Sequence, residues 1–145
     1  MERRSFLRLC GLASGAALVG GMLPGCMGVA HVQAAPVNGV AAVPLHAFTM
    51  ERKGEQVVRR SIVVDVQGLP APIVVFRNGE HNHIALLMRC THRGAELQLA
   101  GDRLDCPAHG SVFSDQGEVM EGPADAPLRR FPVTASGTDL LIRLA

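Results

Sequence analysis

The chain has 145 residues, enough for one domain, with no Trp or Tyr and only five Phe, so any core must be aliphatic. Its formal net charge of +1 offers no electrostatic basis for nucleic-acid binding. Four cysteines are present, at 10, 26, 90 and 106; two fall in metal-ligand patterns and two in an N-terminal apolar run, which argues against a structural disulfide.

The chain opens with Arg3-Arg4-Ser5-Phe6-Leu7-Arg8, followed by a charge-free, Gly- and Ala-rich run over residues 9–30. A basic start before a moderately apolar stretch is a targeting pattern, here a twin-arginine export signal, and residues 1–34 are set apart from the globular fold. Three readings of its end stay open. Leu23-Pro24-Gly25-Cys26 resembles a lipoprotein cleavage box, Val32-Gln33-Ala34 a signal-peptidase site, and the whole run is long enough to anchor in a membrane. Residues 35–46, built of small apolar residues and Pro, read as a linker, which leaves 47–145 as the folded domain.

From there the signals are strands and turns. Residues 61–66 are β-branched and bounded by Gly68 and Pro70; residues 73–76 follow Pro70 and Pro72; Asn78-Gly79 predicts a tight hairpin, and residues 84–88 return from it. Short strands are expected over 96–99, 103–105, 112–113 and 119–120, and final strands over 128–133 and 140–144. No helix is expected after the signal. His81 and His83 read as surface residues, and Arg59-Arg60 as a solvated strand edge.

The chemistry sits in Cys90-Thr91-His92-Arg93-Gly94 and Cys106-Pro107-Ala108-His109-Gly110-Ser111. Each segment supplies one thiolate and one imidazole, followed by a Gly that permits a tight turn. Zinc sites usually group cysteines in one knuckle and histidines in another. Two mixed pairs suit a two-iron cluster better, with both Cys on one iron and both His on the other. Gly turns also aim backbone N–H groups at sulfur.

These motifs, with Gly122-Pro123-Ala124 downstream, resemble the Rieske [2Fe–2S] proteins, in the branch of the quinol:cytochrome c reductase subunits, from about Ile73 to the C-terminus. The resemblance implies an all-β fold, an antiparallel β-sandwich carrying a small cluster-binding subdomain. It implies one [2Fe–2S] cluster, with Cys90 and Cys106 on the inner iron, His92 and His109 on the outer, Gly94 and Gly110 in the turns, and Pro123 in a covering loop. Ser111 matches a serine that donates to a bridging sulfur. Three departures stand out. Ala95 and Ala108 occupy the positions of an inter-loop disulfide, Phe113 stands where a Tyr donates to a cysteine sulfur, and Arg93 replaces a Leu that packs against quinol.

The resemblance implies one-electron transfer, with a cytochrome c or other redox protein as partner and quinol-oxidoreductase subunits as possible companions. Residues 110–145 are too few for the iron-bearing catalytic domain of a Rieske oxygenase. With the export signal, the expected site is the periplasmic face of the cytoplasmic membrane, with association through the N-terminus. A free-standing exported carrier or redox-sensing module is the alternative.

Overall fold

In a computed structural model, residues 28–145 are described. The three most apolar stretches become the centre of the molecule. Strands β5 (Ser61–Val66), β6 (Ile73–Arg77) and β7 (His83–Leu87) pair antiparallel in sequence order. Their side chains alternate between two separate apolar clusters. Ile62, Val64, Val66, Ile73, Val75, Ala85 and Leu87 enter one; Val63, Val74, Phe76, Ile84 and Leu86 enter the other. Successive side chains point to opposite faces of a strand, so a sheet buried on both faces needs unbroken apolar runs. That is why residues 73–76 carry four apolar side chains in a row.

The first cluster is closed by the first and last strands among the described residues. β1 (Ala30–Ala34) pairs parallel with β5, and β2 (Val40–Pro44) pairs antiparallel with β14 (Asp139–Arg143). The resulting sheets are β1-β5-β6-β7-β12 and β13-β14-β2, with β12 at Arg130–Phe131 and β13 at Val133–Ser136. Ala34, Ala41 and Val43 are buried in this core beside Leu140 and Ile142. The stretch expected to be a linker is therefore part of the domain. Its small apolar residues alternate buried and exposed, a strand pattern that the lack of bulky side chains and the nearby Pro residues obscured. Val32-Gln33-Ala34, one of the candidate processing sites, lies inside β1. The twin-arginine motif, Cys10 and Cys26 lie outside the described residues.

The second cluster is closed by a four-stranded sheet of order β11-β10-β9-β8: Val119–Glu121, Val112–Ser114, Arg103–Asp105 and Gln98–Ala100. Leu104 and Phe113 from this sheet, with Leu97 just before β8, share a buried cluster with Phe76, Leu86, Cys90 and Cys106. The architecture is thus all-β, with a small subdomain laid on one face of the central sheet. The remaining strands, β3 (Thr49–Arg52) and β4 (Glu55–Val58), form a separate hairpin turning at Lys53-Gly54. A single 3-10 turn, Leu45–Phe48, precedes it, a short exception to the helix-free expectation.

Three local readings are corrected. The β6–β7 loop is five residues, closed by the Asn78 N–H donating to the Asn82 carbonyl at 2.8 Å, longer than a two-residue Asn-Gly turn. His83 is half-buried, its ring 5.5 Å from that of Phe48, and burial, then the Arg77 charge, lowers its pKa. Arg60 bridges to Asp115 at 3.1 Å, and Arg59 donates to the Gly28 carbonyl at 2.6 Å. Both arginines therefore tie elements together instead of lining a free edge.

Gly117 locks the subdomain onto the central sheet. It has φ +82°, and a Cβ there would lie 2.9 Å from Leu86 Cδ2 and 3.4 Å from Leu128 Cβ. Both the backbone conformation and the space exclude a side chain. Gly117→Ala is expected to lower stability by about 1–3 kcal/mol, read as a shift in denaturant midpoint; an unchanged midpoint contradicts this packing.

Candidate metal centre

Two loops at one end of the subdomain repeat a single hydrogen-bond pattern. In the first, the Cys90 N–H donates to the Ala95 carbonyl at 2.7 Å, and the Gly94 N–H donates back to the Cys90 carbonyl at 2.8 Å. In the second, the Cys106 N–H donates to the Ser111 carbonyl at 2.8 Å, and Gly110 returns to Cys106 at 3.0 Å. Each loop runs from a Cys to the residue five positions on and reverses at a Gly with φ of +76° or +80°. An L side chain rarely adopts that conformation, which is why Gly closes both turns. The first loop leaves β7 through an isolated Arg89–Glu96 bridge; the second joins β9 to β10. Ordered strands thus grip both loops at their bases.

The loops present their side chains in two tiers. Cys90 and Cys106 are buried, at 2% and 3% exposure, within hydrogen-bond reach of each other, and both are free thiols. Above them the His92 and His109 rings stand edge to face, with centroids 4.9 Å apart. His92 is half-buried and His109 exposed. Burial pushes the Cys106 thiol pKa up, but N–H groups of His109 and Ala108 and the Cys90 thiol converge on its sulfur, and the net direction is down. The converging N–H groups thus offset the cost of burying negative charge on the Cys106 sulfur.

The His92 Nδ1 atom is buried and has no hydrogen-bond partner. A buried ring nitrogen left unpaired is costly unless it binds something. Among the described residues no three His, Cys, Asp or Glu side chains converge on a single ion position. The four potential ligands stand as a pair of thiols and a pair of imidazoles. That donor set fits a two-iron cluster with a sulfur end and a nitrogen end.

A third loop, 122–127, closes over this end, tied to the other two by side chains. The Ser111 hydroxyl, fully buried, accepts the Ala124 N–H at 3.0 Å. The Thr91 hydroxyl donates to the Ala126 carbonyl at 2.7 Å. Pro123 follows a cis peptide bond in this loop, and its own side chain is exposed. The tie through Thr91 is not signalled by the motif spacing; a hydroxyl next to the motif Cys in a Gly-closed turn is the cue that reads it. Ala95 is half-buried against the subdomain core, whereas Ala108 is exposed.

The Rieske [2Fe–2S] domain family matches residues 46–132, well over half of the chain. The chain belongs to that family. A Rieske domain carries one [2Fe–2S] cluster, a one-electron centre. Among curated proteins, cytochrome b6-f complex iron-sulfur subunit 1 of Synechocystis sp. is 31% identical over 85 residues, covering 57% of this chain and 48% of that protein. The chloroplastic cytochrome b6-f subunit of Bigelowiella natans is 34% identical over 73 residues, covering 48% of this chain and 29% of that protein. The chain spans about half the length, or less, of these curated relatives. Among solved structures, the plasma membrane Rieske protein PetC3 from Synechocystis PCC 6803 is 28% identical with a TM-score of 0.49, covering 57% of this chain and 85% of that one.

Within the Rieske domain, the eight residues singled out from sequence all lie in these three loops. Cys90, His92 and Gly94 share the first loop; Cys106, His109, Gly110 and Ser111 share the second; Pro123 is in the third. No helix among the described residues is long and apolar enough to cross a membrane.

Proposed function

We propose that this Rieske domain is an electron-transfer component in which Cys90 and Cys106 hold one iron and His92 and His109 the other. The observation that carries this reading is the two-tier arrangement: buried thiols beneath paired imidazoles, with His92 Nδ1 unpaired. The group supplies reversible one-electron chemistry when bound. The chain's own residues do the rest. The N–H groups of Ala108 and His109 donate to the Cys106 sulfur and stabilise negative charge there. Ser111 accepts the Ala124 N–H, which leaves its own proton to donate to the bound group. Exposed His109 puts the imidazole end where a partner can approach.

A redox titration followed by visible circular dichroism and EPR tests the reading. A single reversible one-electron transition is expected within roughly −150 to +300 mV. A protein that binds zinc, or that shows no such transition, overturns it.

Ser111 and Phe113 set the expected position within that range. A hydrogen bond to a charged acceptor contributes about 1.5–3 kcal/mol, and about 59 mV corresponds to about 1.4 kcal/mol for one electron. Ser111→Ala is expected to lower the potential, and Phe113→Tyr to raise it, each by about 60–120 mV. Phe113 is fully buried in the apolar cluster that also holds Cys90 and Cys106, and the rise in potential is expected if the added hydroxyl reaches a sulfur. Unmoved potentials in both variants contradict the assigned roles.

The physiological setting belongs to the same proposal. The twin-arginine motif supports export and association with the outer face of the cytoplasmic membrane. Similarity to cytochrome b6-f iron-sulfur subunits supports a place among the subunits of a quinol-oxidising complex, with a cytochrome as acceptor. Exposed Arg93 favours a second reading, a free-standing carrier, because a charged side chain beside His92 does not suit an apolar quinol pocket. Co-purification of partner subunits under mild detergent separates the two: a stable complex supports the first, an isolated domain the second.

A further inference from the structure

A cleft of about 340 Å³ opens beside the first metal loop, bordered by Arg89, Arg93 and Arg129 together with Thr91, His92 and Gly94. All three arginines are exposed. The Arg89 guanidinium lies against Gly94, where a Cβ would meet its Nε and Nη2 at 2.9 Å. Arg129 is fixed by donating to the Leu144 carbonyl at 2.7 Å and by stacking over Phe131 at 4.7 Å. Neither the carbonyl nor the ring neutralises its charge.

The described residues form ion pairs at His31–Asp65, Arg60–Asp115 and Arg103–Asp105, and none of these involves the three arginines. The nearest acids along the chain also leave them unpaired. Glu96 faces Arg89 across a β-bridge without an ion pair, and Asp125 lies within the loop that accepts from Thr91, in none of the ion pairs named above. The whole chain is close to neutral at +1, so the positive charge here is a local concentration. It lies at the imidazole edge, where an electron would leave or enter.

We propose that this arginine cleft is the docking surface for a redox partner that presents carboxylates around its own redox centre. The inference rests on the electron-transfer reading above and adds the chemistry of the partner. Charge complementarity favours a protein surface: three guanidinium groups around one shallow cleft match several carboxylates spread over a patch. Unpaired arginines steer such a surface toward His92, and they act mainly on the association rate.

The test uses the reduced, cluster-bearing protein in stopped flow, with ferricyanide as an anionic oxidant and tris(phenanthroline)cobalt(III) as a cationic one. A fluorescent oligoglutamate peptide serves as the protein-like probe. Between ionic strengths of about 0.01 M and about 0.1 M the Debye length falls from about 30 Å to about 10 Å. The ferricyanide rate is expected to fall several-fold over that interval and the cobalt rate to rise. At low salt, Arg89→Glu/Arg93→Glu should slow ferricyanide about tenfold and speed the cobalt complex. The peptide should bind the parent and not the variant, read by anisotropy. Arg93→Gln, a single change at an exposed site, should give intermediate values and guards against a folding defect in the double variant. Equal rates in parent and variants with both oxidants overturn the docking surface while leaving electron transfer standing. Failure of both oxidants to take an electron overturns the electron-transfer reading itself. Steering of ferricyanide without peptide binding overturns the protein partner in favour of a small-anion site.

Discussion

Cys106→Ser is expected to give a folded β protein that purifies without iron, with no visible absorption and no EPR signal after reduction. The N–H groups of Ala108 and His109 already converge on the Cys106 sulfur, where they stabilise negative charge. A serine hydroxyl does not ionise near neutral pH, so the sulfur end loses an anionic ligand and, with it, one of four attachments. The central sheet should survive, since β5, β6 and β7 pack through residues of both clusters and need no metal for their pairing. Far-UV circular dichroism should therefore change little. Retention of a full complement of iron in Cys106→Ser would falsify the assignment of this thiol.

Iron removal carries the second large effect. Each metal loop is closed by two backbone hydrogen bonds, and the loops are cross-tied to the third through Ser111 and Thr91. Ala95 and Ala108 supply no covalent link between them. Without the metal, two buried thiols and an unpaired His92 Nδ1 remain at the centre of the site. Binding free energy at such a site is folding free energy for the segment that forms it. Amide exchange at Cys90, Gly94, Cys106 and Gly110 is expected to accelerate at least about a hundredfold in the iron-free protein. Amides of β6 should keep their protection. Equal protection of the loops with and without iron would mean that strand packing alone holds them.

Much of the site was legible from residue type and spacing. A Cys and a His separated by one or two residues, then a Gly, is a local arrangement, and local arrangements survive folding unchanged. Gly94 and Gly110 adopt the positive φ that the turns require. Strands 61–66 and 103–105 were equally plain, because β-branched or alternating residues end at clear turn signals. What was hidden depends on distant pairing. Ala30 faces Ile62 and Ala41 faces Ile142. Nothing within residues 30–44 announces those partners, and their small side chains imitate a tether. His83 looked like a surface residue because its partner, Phe48, lies 35 positions away in sequence. The arginine cleft was half visible: Arg93 sits in the motif, but Arg129 reaches it only through the packing of the last strands.

Mössbauer spectroscopy of the iron-enriched, oxidised protein addresses the ligand assignment most directly, because it reads each iron's surroundings separately. Two Cys on one iron and two His on the other should give two quadrupole doublets of equal area with distinct isomer shifts. A single doublet from equivalent sulfur-ligated irons, or a protein without iron, would contradict the assignment of Cys90, Cys106, His92 and His109.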